Sequence, residues 1–275
     1  MSFKLRPSFL IPLVFYHSYG RTSARSPSLF GISLYQQKAL ELHPSGRRLF
    51  DARDTLAAAG FPQPDTPYLS QIPCSWGALY FPEHWREFHE YLAARLSDPA
   101  SSPDVHVLAP FARETAVVPA VRSNRWTRSW KRFFIELAYL RGYTMLYPNF
   151  PTGLSLSTNH LEAGAHVRPT PGADMDAHER RKRLFNVPLM VLPDADGAFT
   201  HDAEREAVLK TGLLNMPGNV LPQWSELPVL DLLGELVNYE TIIRRGVTRR
   251  TELTGCTDVP SRPYDIGDLL CVQDE

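Results

Sequence analysis

The chain has 275 residues, of which 43% are hydrophobic and 21% are charged. This composition is ordinary for a soluble globular chain, and it excludes disorder, a collagen-like repeat or a membrane bundle as a description of the whole. Lysine and arginine number 29, and aspartate and glutamate number 30. The resulting formal net charge of -1 disfavours a nucleic-acid-binding protein, since such proteins are usually basic.

The N-terminal segment, residues 1–28, contains one apolar run at 9–16. A membrane-spanning helix needs about 20 apolar residues, and Pro12 interrupts this shorter run. We therefore interpret the run as a buried strand or an anchoring segment, although Lys4 and Arg6 before it also resemble the start of a signal peptide.

The three cysteines are an odd and sparse set, which does not indicate a disulfide framework. None belongs to a Cys-x-x-Cys pair, so a structural zinc site is not expected. One bridge between Cys256 and Cys271 is left open by the sequence.

Two helices are predicted most strongly, because their apolar residues recur every three or four positions. Pro82 opens the first, and Gly142 lies just past the second, where a left-handed cap belongs. Both helices should pack on one sheet. The residues expected to be mostly buried are Trp85, Phe88, Trp130, Phe134 and Leu137. The predicted elements are strand 29–35, helix 51–59, helix 83–96, helix 125–140, strand 143–147, strand 187–192, helix 202–211 and helix 229–246.

The densest polar cluster lies on a predicted loop over residues 151–175. It contains Asn159, His160, Glu162 and His166, and loops of this length are commonly functional. Two imidazoles and a carboxylate within seven residues can converge on a metal or a phosphate. The alternative is that Asn159 and His160 stabilise a turn through local hydrogen bonds.

Two further motifs each have two interpretations. Asp194 and Asp196 follow a predicted strand and offer the oxygen ligands that Mn²⁺ or Mg²⁺ prefers, but an Asp/Gly turn has the same composition. Trp76 and Gly77 belong to an aromatic block that suits stacking of a sugar ring or a base, or simply a core. No P-loop, nucleophile elbow, His-Glu-x-x-His or dinucleotide-binding glycine motif is present.

Three sequence blocks then occur in a recognisable order. They are Phe30-Gly-Ile-Ser-Leu-Tyr35; Ser75-Trp-Gly-Ala78 followed by Trp85-Arg-Glu-Phe88; and Ser129-Trp-Lys131, Leu140-Arg-Gly142, Leu146-Tyr-Pro-Asn149, Asn159 and Gly164-Ala-His166. Together they resemble the later, acceptor-side half of a GT-A-type, family 2-like nucleotide-sugar glycosyltransferase. The resemblance covers about residues 29–168, roughly half of the chain.

The resemblance implies a mechanism of sugar transfer. Mn²⁺ or Mg²⁺ would hold a nucleotide-diphosphate sugar and neutralise the leaving diphosphate, while a carboxylate deprotonates the acceptor hydroxyl. His166 is implied to complete the metal shell. Acceptor contacts are implied for Trp76 and Gly77, with Asn159 and His160 on the loop.

Two features depart from the family. Only 29 residues precede Phe30, too few for the nucleotide-binding half, so the Asp194–Asp196 pair would supply the metal site only in a rearranged order. Relatives carry an acid near the start of the Ser-Trp helix, where this chain has Lys131. Glu136, about one turn further on, and Glu162 on the loop are the candidate catalytic carboxylates. We expect the chain by itself to show little or no transfer activity.

The sequence therefore predicts an α/β (or α+β) fold, with a small mixed sheet flanked by helices, resembling an incomplete GT-A-type domain. It divides into an N-terminal segment (1–28), a glycosyltransferase-like acceptor-side region (29–168) and a helical C-terminal extension packed on the same domain (169–275). The predicted function is sugar transfer once a nucleotide-binding half completes the chain. The alternatives are a non-catalytic carbohydrate- or protein-binding module and a metal-dependent hydrolase that uses His160, Glu162, His166 and Asp194.

The partners implied by the resemblance are a nucleotide sugar and a carbohydrate or lipid-linked acceptor, without nucleic acid. Membrane association would come through a region missing from this chain. The resemblance favours a membrane of the secretory pathway, whereas the composition itself fixes no compartment.

Overall fold

The computed structural model describes residues 27–97, 109–150, 155, 157 and 222–272. The strands are β1 (Leu29–Ser33), β2 (Ala39–Leu40), β3 (Arg48–Leu49), β4 (Tyr68–Ser70), β5 (Ala78–Tyr80), β6 (Thr144–Tyr147), β7 (Val229–Leu230) and β8 (Leu236–Val237). The α-helices are α1 (Ala52–Ala58), α2 (Pro82–Leu96), α3 (Trp130–Arg141), α4 (Tyr239–Thr254) and α5 (Ile266–Leu270), and 3₁₀ turns cover Arg122–Arg125 and Trp224–Glu226.

Six strands form one mixed sheet in the order β5-β1-β6-β4-β7-β8, and β2 and β3 form a separate ribbon. Strands β1 and β6 are parallel neighbours, as are β4 and β7, while the remaining neighbours are antiparallel. The predicted α/β class with a mixed sheet is therefore confirmed. Strands from residues 29–168 and from residues 169–275 share this sheet.

Helices α2 and α3 follow from local signals. Pro82 is the first residue of α2, where proline lacks only an N–H that has no helical partner. Gly142 ends α3 with φ of 66°, the left-handed conformation that glycine adopts without steric cost. The predicted start of α3 at Arg125 is wrong, because Trp126 leaves helical geometry and the helix begins at Trp130 after the cap residue Ser129.

Aromatic packing between the two helices and β1 forms the main core. Phe88 and Phe134 are stacked with ring centroids 4.6 Å apart, and Phe30 lies 5.1 Å from Phe134. Phe88, Phe134 and Leu137 are buried as expected, whereas Trp85 and Trp130 keep exposed fractions of 37% and 40%. Both indoles lie at the outer end of the cluster, where they contact each other edge-on at 6.0 Å.

The opposite face of the sheet has its own apolar cluster, which includes Leu29, Ile32 and Leu146 and contacts Ile242 of α4. Helix α4 also approaches α3 closely at Gly246. A β-carbon on Gly246 would lie 2.5 Å from the carbonyl oxygen of Tyr139, so only glycine permits this distance between the helices.

The helix predicted over 229–246 is wrong in its first half, where β7 and β8 form a hairpin. The side chain of Asp231 stabilises the turn by accepting hydrogen bonds from the backbone N–H groups of Leu233 and Glu235 at 2.9 and 3.1 Å. Gly234 adopts φ of 79° within this turn. Local turn chemistry at Asp231 and Gly234 therefore outweighs the helical spacing of the leucines.

A buried ion pair connects α2 with α3. The guanidinium of Arg141 donates to Glu87 at 2.7 Å, and the hydroxyl of Tyr143 donates to the second Glu87 oxygen at 2.6 Å. Glu87 is fully buried, so both of its charged oxygens depend on these two donors.

A disulfide between Cys256 and Cys271 ties the end of α4 to α5, so the bridge that the sequence left open is present. The buried Arg250 strengthens the same junction by donating to the carbonyl oxygens of Leu269 and Asp268 at 2.7 and 2.8 Å. The apolar run 9–16, the predicted strand 187–192 and the predicted helix 202–211 lie outside the described residues. Within the described ranges, no helix is both long and apolar enough to cross a membrane.

Candidate functional site

The candidate site lies beyond the carboxyl ends of β1 and β6, which meet at one edge of the sheet because the two strands are parallel. The side-chain amide of Gln36 joins the two strand ends. Its Nε2 donates to the carbonyl oxygen of Phe150 at 3.0 Å, and its Oε1 accepts from the Phe150 N–H at 2.8 Å. Ligand sites in α/β sheets concentrate at such strand ends.

A small recess opens at this edge, and we call it the strand-end recess. Its enclosed space is about 30 Å³, enough for one water molecule or one hydroxyl group. A larger ligand would place one group inside and rest on the mouth. The residues that line the recess include Tyr35, Gln37, Glu41, Cys74, Trp76 and Lys131.

Opposite charges flank the recess. The Nζ of Lys131 lies 3.3 Å from Oε2 of Glu41, and both side chains are largely buried, with exposed fractions of 12% and 18%. Among the described residues that line the recess, Glu41 is the one carboxylate. An ion pair at this depth is screened less by solvent than a surface pair, so it holds both side chains in place.

Aromatic rings form one wall. The half-buried indole of Trp76 meets the ring of Tyr35 edge-on, with centroids 5.0 Å apart. Burial, with a smaller contribution from the neighbouring Cys74, raises the pKa of Tyr35, so its phenol stays neutral near pH 7. Burial likewise raises the pKa of the Cys74 thiol, which makes Cys74 a poor nucleophile at neutral pH.

Two serines from the chain beyond β6 also reach this edge. Ser155 accepts a hydrogen bond from the Gln36 N–H at 2.9 Å, and Ser157 donates its N–H to the carbonyl oxygen of Leu34 at 3.0 Å. Ser157 contacts Gly77, whose φ is 144°. The chain that follows β6 therefore passes directly beside the Trp76-Gly77 block at these two residues.

The structure describes only some of the site residues predicted from the sequence. Trp76 lines the strand-end recess, and Gly77 pairs with the end of β1 by accepting a hydrogen bond from the Leu34 N–H at 2.8 Å. The remaining candidates lie outside the described residues: Asn159, His160, Glu162, His166, Asp194 and Asp196. Among the residues that are described, no group of three or more His, Cys, Asp or Glu side chains could hold a metal ion.

Glu136 lies in a buried network rather than in the recess. Arg95 donates to one of its oxygens and Arg132 to the other, both at 3.0 Å, and Tyr91 adds a bond at 3.2 Å. The same two arginines bind backbone carbonyls of residues 111–115. Glu136 is therefore the anion that fixes the two arginines, and through them the segment 111–115 is held against α2 and α3.

The main site residues that the sequence did not reveal are Glu41, Tyr35 and Gln36. Glu41 and Lys131 are 90 positions apart, so no local spacing could connect them. Gln36 could not be predicted from the sequence either, because its two side-chain hydrogen bonds join it to the backbone of Phe150, 114 residues away.

A family model described as the SPBC1E8.03c C-terminal domain matches residues 45–101, about a fifth of the chain. The matched range contains β3, α1, β4, β5 and α2, and with them Trp76 and Gly77. No curated protein and no solved structure matches the chain. The match describes a similarity over this range and carries no activity with it.

Proposed function

We propose that this chain is the acceptor-side part of a nucleotide-sugar glycosyltransferase, and that the strand-end recess binds the acceptor carbohydrate. Transfer would require a nucleotide-binding part to complete the site. The proposal rests on the resemblance stated above and on one structural observation in particular: an aromatic wall and a charged pair lie together at the carboxyl ends of two parallel strands.

The chemistry of the recess suits a sugar. An indole offers a flat apolar surface to the C–H face of a sugar ring, and the half-buried Trp76 lines the recess. The carboxylate of Glu41, the ammonium of Lys131 and the amide of Gln37 offer acceptors and donors for hydroxyl groups. The enclosed space of about 30 Å³ admits one hydroxyl, while the ring would rest against the indole.

In this proposal Glu41, and not Glu136, is the general base that deprotonates the acceptor hydroxyl. A general base must lie within about 2.6–3.2 Å of the proton that it removes. Glu41 lines the recess, with Lys131 3.3 Å from its Oε2 and Arg47 3.8 Å from its Oε1. Glu136 does not line the recess, and arginines at 3.0 Å hold both of its oxygens inside the core. Lys131 would hold the Glu41 carboxylate towards the inserted hydroxyl. The resemblance implies that a divalent metal supplies charge neutralisation at the diphosphate, and its proposed ligands lie outside the described residues.

Saccharide binding by the chain tests the proposal without requiring turnover. A panel of mono- and disaccharides is titrated while the tryptophan fluorescence is followed. Trp76→Phe should weaken binding about tenfold, as expected for the loss of about 1.4 kcal/mol. Trp224→Phe is the matched control, because Trp224 packs on the other side of the sheet, and it should bind like the parent.

Glu41→Gln adds a second readout. In the complete enzyme it should lower the transfer rate with little change in saccharide affinity, which separates a base from a binding group. Glu136→Gln should instead lower the free energy of unfolding, because it removes the countercharge of two buried arginines. The proposal fails if no saccharide binds, or if the Trp76 and Trp224 variants bind alike.

A further inference from the structure

An unusual surface lies between the 3₁₀ turn Arg122–Arg125 and helix α3. Residues 115–135 contain five cations and no acidic side chain. Three of the cations are engaged: Lys131 with Glu41, Arg132 with Glu136, and Arg122 with the carbonyl oxygen of Glu41.

Arg125 and Arg128 differ from these three. Both are exposed, and neither forms an ion pair or a side-chain hydrogen bond with any residue that the structure describes. An arginine without a partner keeps all five of its N–H donors for an external anion. Two such guanidinium groups, three residues apart, form the charged part of the surface.

Exposed indoles form the other part. Trp130 follows Arg128 by two residues and is 40% exposed, and Trp85 packs beside it with 37% exposed. Indoles are enriched at the boundary between water and hydrocarbon, because the ring is apolar while its N–H seeks a polar partner. We call Arg125, Arg128, Trp130 and Trp85 the Arg-Trp patch.

We propose that the Arg-Trp patch docks this protein onto the surface of a membrane that contains anionic phospholipid. The guanidinium groups meet lipid phosphates and carboxylates, and the two indoles enter the headgroup layer. This combination of basic and aromatic side chains is the one found in interfacial anchors.

A membrane surface fits the patch better than a nucleic acid. Binding to a nucleic-acid backbone depends on many phosphate contacts, and only two cations here are free of described partners. The indoles cross at 78°, so they do not offer parallel faces to successive bases.

Docking in this way has a consequence for the strand-end recess. Lys131, which lines the recess, directly follows Trp130. A docked patch would hold the recess at the lipid surface, where a lipid-linked acceptor could reach it. This consequence rests on the proposed function, whereas docking itself does not.

Sedimentation with lipid vesicles tests the docking. The full chain is mixed with vesicles of 70% phosphatidylcholine and 30% phosphatidylserine, and with vesicles of phosphatidylcholine alone. We expect binding to the first that weakens with added salt. Each basic residue near an anionic surface contributes about fivefold, so Arg125→Gln with Arg128→Gln should weaken the partition constant about 25-fold.

The matched control removes the same charge elsewhere. Arg48 and Arg244 are exposed and lie on β3 and α4, and Arg48→Gln with Arg244→Gln should stay within about twofold of the parent. Brominated phospholipids should quench the tryptophan emission of the bound parent. Trp130→Phe should remove much of that quenching, whereas Trp126→Phe should keep it.

Three results would overturn the docking proposal: no binding to the phosphatidylserine vesicles, equal losses in the two arginine pairs, or quenching unchanged by Trp130→Phe. A single-stranded oligonucleotide that binds more tightly than the vesicles, and does so through Arg125 and Arg128, would also overturn it. No sugar enters these measurements, so they can fail while the proposed function stands.

Discussion

A β-carbon placed on Gly77 would lie 2.5 Å from the Oγ of Ser157 and 2.8 Å from its Cβ. Ser157 belongs to the chain that follows β6, and Gly77 precedes β5, so the two residues are 80 positions apart in sequence. Glycine at position 77 lets the backbones come this close. The contact places the start of the proposed functional loop beside the aromatic wall of the strand-end recess.

Gly77→Ala should destabilise the protein through two separate costs. One is the positive φ of 144°, and the other is the overlap with Ser157. Gly46→Ala is the matched control, since Gly46 has φ of 127° and no atom within 4 Å of an added β-carbon. We expect Gly77→Ala to lower the free energy of unfolding by about 1–3 kcal/mol more than Gly46→Ala, measured by urea denaturation.

Ser157→Gly isolates the contact further. Combined with Gly77→Ala it should recover part of the loss, with a coupling of about 0.5–3 kcal/mol in a double-mutant cycle. Strict additivity would show that the two residues do not touch in solution.

Glu136→Gln should unfold the protein easily, because two arginines would then share a buried site without a countercharge. Removing one partner of a buried ion pair typically costs about 3–5 kcal/mol. The control Glu114→Gln changes an exposed carboxylate and should remain within about 0.5 kcal/mol of the parent. Chemical denaturation of the three proteins at pH 7 measures the difference. If Glu136→Gln kept nearly the same free energy of unfolding as the parent, Glu136 would have a role other than holding the segment 111–115.

Glu87 should make stability depend on pH in an unusual direction. Burial raises the pKa of Glu87, and this effect exceeds the opposing effects of Arg141 and Tyr143. Between the ordinary carboxyl pKa of about 4.3 and the raised folded-state pKa, the folded chain binds more protons than the unfolded chain. The free energy of unfolding therefore falls as the pH rises through this range.

The comparison of parent with Glu87→Gln from pH 4 to 8 measures this effect. The stability of the parent relative to the Glu87→Gln variant should decrease as the pH rises. A parent that gains stability over the variant with rising pH would mean that pairing with Arg141 outweighs burial.

Phe134→Ala should cost more than Trp130→Ala, although tryptophan is the larger residue. Phe134 is completely buried, and its truncation should cost about 3–5 kcal/mol. Trp130 has 40% of its surface already in water, so less apolar area is lost from the core. Urea denaturation of both variants under the same conditions tests the order. Equal or reversed losses would place Trp130 in the core, and would remove the basis of the Arg-Trp patch.

Much of the fold was predictable where a local signal acts within a few residues. Asp51 caps α1 and Gly142 closes α3 through hydrogen bonds within one helical turn. Pro82 opens α2 because the ring of proline suits the first helical position. The hairpin of β7 and β8 was missed although it is also local. The leucines before Asn238 have a spacing that suits a helix, and the side-chain bonds of Asp231 decide against it.

The candidate site was predictable only in part. Trp76 and Gly77 were predicted as site residues because they belong to a block of aromatic residues around a glycine. The structure places both of them at the strand ends. Nothing in the sequence marks Glu41 as a site residue, since an isolated glutamate is usually exposed to solvent. Its importance comes from Lys131, which the fold brings to within 3.3 Å.

By itself the sequence determined the class of the fold, the helices α2 and α3 apart from the start of α3, and most of the apolar residues that cover the sheet. Hydrophobic spacing and capping act over short distances, so these features can be read locally. Tertiary structure alone decided which charges meet. Glu136 pairs with Arg95 from another helix, and Glu87 pairs with Arg141 across 54 positions. It also decided that Trp130 lies at the edge of the core while Phe134, one turn later, lies inside it. Such choices depend on distances between elements that are far apart in the chain, and the strand order of the sheet sets those distances.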